Sequence, residues 1–200
     1  MQPKLLTILL CLTIVICGCT APIEESIQTE VPLQLSFTAD TLERDEDGGS
    51  LFDLKEALDS KPVLMLWIAA GCSGCHDWTD MLRESINNGT INTSSVSIIS
   101  MHRWSEVESP ATVMKAFGND DNDSNYTPWP IVLPNESSRL TDFETGETTQ
   151  FSIVEGFGNP VTPTVQLFGQ DGIKMWQSKS YWANYTMVEE AMDVVNKIAG

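Results

Sequence analysis

The sequence predicts an α/β domain in which helices flank a mixed central sheet. Apolar segments of strand length alternate with segments whose apolar residues recur at helical spacing, and such alternation calls for a sheet covered on both faces. Residues 63–70 are apolar throughout, as in a central strand that is buried on both sides. Near the C-terminus, a Gly-Gln-Asp-Gly turn at 169–172 separates two strand-like segments and predicts a hairpin.

The elements of the first half of the domain are predicted from alternation and from turn residues. Residues 33–37 alternate apolar and polar side chains, which is typical of a half-buried strand. Residues 45–49 are acidic and glycine-rich and predict a turn, and residues 51–58 carry apolar residues at helical spacing. The buried strand 63–68 comes next. A helix is predicted over 75–87, because its apolar residues form one stripe and an Asn-Gly pair follows.

The second half of the domain continues the alternation of strands and helices. Its predicted elements are a strand at 96–100, a helix at 111–117, a loop at 120–127, a short strand at 129–133, a hairpin of strands 165–168 and 173–176, and a helix at 187–198. Residues 135–150 are polar and are predicted to be an insertion between the short strand and the hairpin.

The N-terminus carries the pattern of an export signal. Lys4 precedes an apolar run from residue 5 to residue 16, which is shorter than the roughly 20 apolar residues that span a bilayer. The run ends in Ile-Cys-Gly-Cys, which resembles the lipobox of prokaryotic lipoproteins and implies cleavage before Cys19 and a lipid on its sulfur. An ordinary secretory signal and an uncleaved anchor are the alternatives.

This pattern divides the chain into three parts. We expect residues 1–18 to be a lipoprotein-type signal peptide, residues 19–32 to be a polar tether, and residues 33–200 to be one folded domain. The protein is then exported to the outer face of the cell membrane or to the periplasm and held there by its lipid. The formal net charge of -17 leaves no basic patch for nucleic acid, so we expect no such partner.

Two cysteines carry the clearest chemical signal of the chain. Of the five cysteines, Cys11 and Cys17 leave with the signal and Cys19 takes the lipid, so Cys72 and Cys75 remain as thiols. A bridge between them closes almost no loop, which makes a purely structural disulfide a poor explanation. They lie where the buried strand meets a helix, and the positive helix N-terminus favours a thiolate. We therefore expect Cys72 to be a nucleophile and Cys75 to resolve the mixed disulfide.

This segment and a second one resemble the thioredoxin family. Residues 67–75, Trp-Ile-Ala-Ala-Gly-Cys-Ser-Gly-Cys, are similar to the thioredoxin active-site segment, in which CxxC follows an apolar strand. Residues 161–165, Val-Thr-Pro-Thr-Val, precede a strand and a hairpin and are similar to the segment that holds the cis-proline of that fold. Residues 33–62 look like the extra N-terminal strands and short helix of the TlpA-like, membrane-anchored branch. The resemblance implies a thioredoxin-like fold with this N-terminal extension and an insertion before the cis-proline.

The resemblance also implies roles for individual residues. Pro163 is expected to be the cis-proline beside the cysteine pair, and Thr162 the residue whose backbone pairs with a substrate strand. The position of His76, one turn beyond Cys72, indicates a separate role, because a protonated imidazole there would favour the thiolate; an exposed helix residue without a role is the alternative. The chain departs from the family in two places: Gly71 replaces the usual aromatic residue before the first cysteine, and Leu66 replaces the buried acid. Proton transfer with Cys75 then needs another group or water.

Two other chemistries use the same residues. Cys72 to His76 reads CxxCH, the attachment motif of c-type haem, with His76 as an axial ligand and a methionine as the second. A metal site would draw on Cys72, Cys75, His76 and His102, but the spacing is not that of a zinc finger. We expect no metal and no bound cofactor.

The sequence thus predicts an extracytoplasmic thiol-disulfide oxidoreductase that works through its CxxC pair. Its substrates are expected to be protein thiols or disulfides, and a second redox protein supplies or removes electrons. The TlpA-like resemblance favours a reductase over an oxidase. A thioredoxin-like binding module without catalysis is the alternative from another functional class.

Overall fold

The structure, a computed structural model, describes residues 30–118 and 125–199. The signal peptide, most of the tether with the lipidation residue Cys19, and most of the predicted loop at 120–127 lie outside these residues. Within the described parts of the chain, no helix is long and apolar enough to cross a membrane.

The described residues form strands that alternate with helices, as the sequence predicted. The strands are β1 (Leu35–Thr41), β2 (Leu51–Asp53), β3 (Val63–Ile68), β4 (Ser97–His102), β5 (Ile131–Leu133), β6 (Arg139–Asp142), β7 (Thr148–Ser152), β8 (Thr164–Phe168) and β9 (Lys174–Gln177). The helices are α1 (Leu54–Ser60), α2 (Ser73–Asn87), α3 (Pro110–Val113), α4 (Ile153–Gly156) and α5 (Tyr185–Ala199). A 3₁₀ turn covers Asp45–Asp47, and α3 continues as a π-helical turn over Met114–Gly118.

The strands form one mixed sheet in the order β7-β6-β1-β5-β4-β3-β8-β9, and β2 pairs with β1. The central strands β3, β4 and β5 run parallel, whereas β8 runs antiparallel to β3. This mixed α/β architecture is the predicted fold class. The antiparallel pairing brings the beginning of β8 beside the end of β3, with Trp67 opposite Thr164, and this is where the candidate site lies.

Strand β3 divides the core between the two faces of the sheet. All of its residues are buried, and successive side chains point to opposite faces because a strand has a period of two. Leu64, Leu66 and Ile68 pack in the cluster that contains residues of α2 and α5. Val63, Met65 and Trp67 pack in the cluster that contains residues of α1 and the ring of Phe157. The end of β3 is therefore held from both sides.

Two segments differ from what the sequence indicated. The polar residues 135–150, expected as an insertion, contain β6 and most of β7, and β6 pairs with the first half of β1. Residues 51–58 are not all helical, because β2 covers the first three and pairs with β1 before α1 begins. In both cases pairing with β1 supplies backbone hydrogen bonds that local sequence does not reveal.

A buried ion pair links the N-terminal extension to the central sheet. Asp47 accepts hydrogen bonds from the Arg44 guanidinium, at 2.7 Å, and from the backbone nitrogen of Ile131 in β5, at 2.9 Å. Arg44 in turn donates to the carbonyl oxygens of Thr127 and Trp129. The pair therefore satisfies backbone groups that would otherwise be buried without partners.

Candidate active site

The two cysteines lie at the first turn of α2, directly after β3. Cys72 is the N-cap residue of the helix, and its sulfur accepts a hydrogen bond from the backbone nitrogen of Cys75 at 3.2 Å. The two residues form a disulfide across a Cα–Cα distance of 5.2 Å. Cys72 has extended backbone angles, and the helix begins at the next residue, Ser73. The sulfur of Cys72 thus lies at the positive end of a helix of 15 residues.

The two cysteines differ in their exposure to solvent. Cys72 is partly exposed, whereas Cys75 is 0% exposed and belongs to the core cluster of α2 and α5. The Cys75 sulfur lies 3.9 Å from the carbonyl oxygen of Trp67 in β3. A partner molecule can therefore reach Cys72 first, and Cys75 can attack only from within the protein.

The segment before β8 lies beside the end of β3, which leads into the turn that carries the cysteines. The Thr162–Pro163 peptide is cis, as the resemblance implied. Pro163 is buried, and Thr162 is partly exposed and accepts a hydrogen bond from Nε1 of Trp104 at 3.3 Å. Arg103 stacks on the Trp104 ring at 4.3 Å and donates to the Pro160 carbonyl, so the loop after β4 braces this segment.

His76 makes its hydrogen bond with the backbone. Its Nε2 lies 3.0 Å from the carbonyl oxygen of Ala70, which can only accept, so Nε2 carries a proton. The ring stacks on Phe117 at 4.7 Å, and its Nδ1 is buried without a hydrogen-bond partner among the described residues. His76 thus connects the turn before Cys72 to the π-helical turn, and its influence on the Cys72 thiolate stays a prediction.

A buried histidine and a glutamate support the same turn, and sequence reasoning did not find their role. Glu108 Oε2 accepts hydrogen bonds from the backbone nitrogen of Ala70, at 2.8 Å, and from Nε2 of His102, at 3.0 Å. The His102 side chain is only 2% exposed. Burial lowers the pKa of His102, and the neighbouring Glu108 carboxylate opposes that shift without overcoming it. His102 is therefore a neutral donor to Glu108 at neutral pH.

A second missed contact reaches the cysteine pair from the segment between β9 and α5. The hydroxyl of Tyr181 accepts a hydrogen bond from the backbone nitrogen of Gly74 at 3.2 Å. Asp77 of α2 also binds this segment, because its Oδ2 accepts a hydrogen bond from the Ala183 nitrogen at 2.8 Å. The glycine between the cysteines was the available signal, since an added Cβ at Gly74 would lie 2.7 Å from the Tyr181 ring.

The residues that the metal and haem alternatives would use have other partners: Cys72 is bonded to Cys75, and His102 is hydrogen-bonded to Glu108. Among the described residues, no three histidines, cysteines or acids lie close enough to hold a metal ion. A c-type haem needs thioether bonds from both cysteines. Cys75 is fully buried between the helix and the sheet, and Nε2 of His76 is engaged with the Ala70 carbonyl. The residues of the motif are therefore oriented for contact with each other and with the backbone.

Comparison with known proteins agrees with this architecture. The thioredoxin domain of a thiol-disulfide oxidoreductase from Bacteroides vulgatus is 17% identical, with a TM-score of 0.55 over 82% of this chain and 94% of that one. Mycobacterium tuberculosis DsbF is 15% identical, with a TM-score of 0.53 over 84% of this chain and 99% of that one. A secreted disulfide oxidoreductase of the same organism, homologous to Escherichia coli DsbE, is 14% identical, with a TM-score of 0.50 over 80% and 95%.

Comparison of sequence alone finds much less. No protein-family model matches the chain, and no curated protein matches it. The likeness therefore lies in the arrangement of the strands and helices, at identities too low to carry more than the fold. Together with the mixed sheet, the disulfide at the start of α2 and the cis Thr162–Pro163 peptide, it shows that the chain has the thioredoxin-like fold.

Proposed function

We propose that this protein is a thiol-disulfide oxidoreductase that exchanges disulfides with other proteins through Cys72 and Cys75. The observation that carries the proposal is the asymmetry of the pair: a partly exposed Cys72 at a helix N-terminus is bonded to a fully buried Cys75. The helix N-terminus stabilises a thiolate on Cys72, and thiolates are the attacking species in disulfide exchange. A purely structural disulfide would need neither a partly exposed cysteine nor a position at a helix N-terminus.

The reaction in the reducing direction uses both sulfur atoms. The Cys72 thiolate attacks one sulfur of a substrate disulfide, and the other substrate sulfur leaves as a thiolate. The Cys75 thiol then loses its proton and attacks the Cys72 sulfur, which releases the second substrate sulfur and forms the Cys72–Cys75 disulfide. The substrate gains two electrons and the protein loses two. A second redox protein returns them, so the cycle needs no bound cofactor.

The segment before β8 is the proposed docking site for the substrate chain. Thr162 and Pro163 adjoin the start of β8, and β8 pairs with β3 just before the cysteine turn. Thr162 is partly exposed, so an extended substrate segment can approach its backbone groups. The hydrogen bond from Trp104 to the Thr162 hydroxyl holds this segment in place. His76 is proposed to favour the Cys72 thiolate when its ring is protonated.

The setting of this activity is proposed from the N-terminal pattern. The lipobox-like residues before Cys19 and the apolar run that precedes them support export and attachment through a lipid. The likeness of the N-terminal extension to the TlpA-like branch supports a membrane-anchored reductase. Full-length expression in a bacterium tests the anchor, because Cys19→Ala should release the protein from the membrane fraction and remove the lipid mass from its N-terminus.

Insulin reduction tests the activity directly. Wild type should reduce insulin in the presence of a dithiol, and Cys72→Ser should not; Cys75→Ser should stall as a mixed disulfide with the substrate. Ser94→Ala, at an exposed position between α2 and β4, is the control and should keep the wild-type rate. Equal rates for wild type and Cys72→Ser would identify a binding module instead. The reduction potential then decides the direction, since about -270 mV favours a reductase and about -120 mV an oxidase.

A further inference from the structure

The segment between β9 and α5 makes an unusually close approach to the cysteine pair. The Tyr181 side chain is 48% exposed, yet its hydroxyl accepts a hydrogen bond from the Gly74 backbone nitrogen. Its ring and its carbonyl oxygen would lie 2.7 Å and 2.8 Å from a Cβ atom at Gly74. Such distances are shorter than real Cβ contacts, so only glycine at this position allows the approach.

The Gly74 amide is one of the groups that give the helix N-terminus its positive character. The first amides of a helix lack partners within the helix, and an N-cap side chain usually accepts from the second or third of them. Here Ser73, Gly74 and Cys75 are the first three helical residues. The Cys72 sulfur accepts from the third amide, that of Cys75, and Tyr181 accepts from the second, that of Gly74.

We infer that Tyr181 is a positioning residue that limits how strongly the helix stabilises the Cys72 thiolate, by holding the Gly74 N–H on its own hydroxyl. The inference rests on the proposed function and deepens it, because the stability of that thiolate sets both the reactivity of Cys72 and the direction in which the pair exchanges electrons. Without the hydroxyl, the Gly74 amide is free to donate to the sulfur as the Cys75 amide already does.

Three ionisable side chains around this turn are bound to backbone groups, and a fourth, Lys115 of the π-helical turn, lines the same cavity as Gly71 and His76. On α2, His76 bonds to the Ala70 carbonyl and Asp77 to the Ala183 nitrogen. From the loop after β4, Glu108 bonds to the Ala70 nitrogen and to His102. The hydrogen bond that the structure shows to the Cys72 sulfur comes from the helix backbone. A change in which backbone amides donate to the Cys72 sulfur is therefore the most direct way to alter the stability of its thiolate.

The expected size of the effect follows from the strength of hydrogen bonds to charged groups. One such bond shifts a pKa by about one unit, which is a roughly ten-fold change in thiolate fraction at a pH below the pKa. A more stable thiolate is also a weaker nucleophile, and a Brønsted coefficient of about 0.5 removes part of the gain. Tyr181→Phe should therefore lower the pKa of Cys72 by about one unit and raise its alkylation rate in acid about three-fold.

The test is the pH dependence of Cys72 alkylation in the reduced full-length protein. Iodoacetamide is applied from about pH 4 to about pH 9, a range that brackets the ordinary cysteine pKa, and the labelled peptide is identified by mass. Tyr185→Phe is the matched control, because the Tyr185 hydroxyl bonds to Glu84, further along α2, and its loss should leave the profile unchanged. The same variants are equilibrated with glutathione, where Tyr181→Phe should shift the pair towards the dithiol by up to about ten-fold.

Gly74→Ala supplies a second, independent variant. The added methyl group displaces Tyr181 and should move the Cys72 profile in the same direction as Tyr181→Phe. An unchanged Cys72 pKa in Tyr181→Phe overturns the inference, because the hydroxyl then has no effect on the sulfur. A raised pKa overturns it as well, because the hydroxyl then donates a hydrogen bond to the sulfur. If wild type reduces insulin while the variant profile is unchanged, this inference alone fails. If wild type does not reduce insulin, the proposed function fails.

Discussion

Oxygen Oε2 of Glu108 lies 2.8 Å from the backbone nitrogen of Ala70, and this hydrogen bond ties the loop after β4 to the turn that carries the disulfide. The same oxygen accepts from His102, which lies at the end of β4 and is buried. Two strand ends are thereby joined through one carboxylate, since β3 leads into Ala70 and β4 ends at His102. The position of Cys72 depends on this junction as well as on its own helix.

Replacement of Glu108 should therefore destabilise the domain. In Glu108→Gln a neutral amide oxygen replaces the carboxylate oxygen Oε2, which accepts from both Ala70 and His102, so both hydrogen bonds lose the added strength of a charged acceptor. We expect the free energy of unfolding to fall by about 1–3 kcal/mol in denaturant titration. Glu106→Gln, at an exposed position of the same loop, should change it by less than about 0.5 kcal/mol. Equal effects of the two substitutions would show that the junction carries no stability.

His102 should make the stability of the domain depend on pH. Its pKa is lowered from 6.5 by burial, so between the two pKa values the unfolded chain binds a proton that the folded protein does not. The contribution of neutral His102 is complete above about pH 6.5 and is lost as the pH falls through the lowered pKa. His102→Gln keeps an N–H donor towards Glu108 and removes this titration. Unfolding measured from neutral to acidic pH should show a steeper decline for wild type than for the variant, and parallel curves would contradict this.

The sequence predicted the strands and helices that have a strong period and missed those held by distant pairing. Strand β3 and helix α2 agree closely with expectation because uninterrupted apolar residues and one apolar stripe report burial directly. Strands β6 and β7 are mostly polar and are held by pairing with β1 and with each other. Nothing within residues 139–152 indicates that partner, so composition alone predicted an insertion without strands.

Gly74 should be intolerant of a side chain for reasons of space. An added Cβ lies 2.7 Å from the Tyr181 ring and 2.8 Å from its backbone oxygen, and the backbone oxygen cannot move without its segment. Gly74→Ala should lower the free energy of unfolding by about 1–3 kcal/mol, the usual cost of overpacking. Gly71→Ala is the matched control, because its Cβ would meet nothing within 4 Å. If both alanine variants unfold at the wild-type denaturant concentration, the close approach of Tyr181 is not present in solution.

The buried pair of Arg44 and Asp47 should be sensitive to loss of one partner. The Asp47 side chain is 0% exposed, and it serves Arg44 and the Ile131 amide together. Asp47→Ala leaves the buried Arg44 guanidinium without its counter-charge and the Ile131 amide without its acceptor, and we expect a loss of about 3–5 kcal/mol in denaturant titration. Asp45→Ala removes an exposed carboxylate from the same 3₁₀ turn and should cost less than about 0.5 kcal/mol. A similar midpoint for both variants would contradict the bracing role of the pair.

The sequence predicted those residues of the candidate site that belong to its two short motifs. Cys72, Cys75 and the cis Thr162–Pro163 peptide follow from two short segments with recognisable flanks. The hydrogen bonds that Glu108 and Tyr181 accept from the cysteine turn do not follow from these segments, because they join residues that are 38 and 107 positions apart in the chain. Such contacts depend on the sheet order and on the path of surface loops, which local pattern does not encode.

The central claim is that Cys72 attacks the substrate disulfide and that the buried Cys75 attacks only afterwards. Trapping of a mixed disulfide tests this claim most directly. Reduced Cys75→Ser, mixed with a peptide disulfide, should gain the mass of one peptide, on Cys72. Reduced Cys72→Ser should gain none on the same time scale, because the Cys75 sulfur is buried. Adduct formation on Cys75 at a comparable rate, or on neither cysteine, would contradict the account.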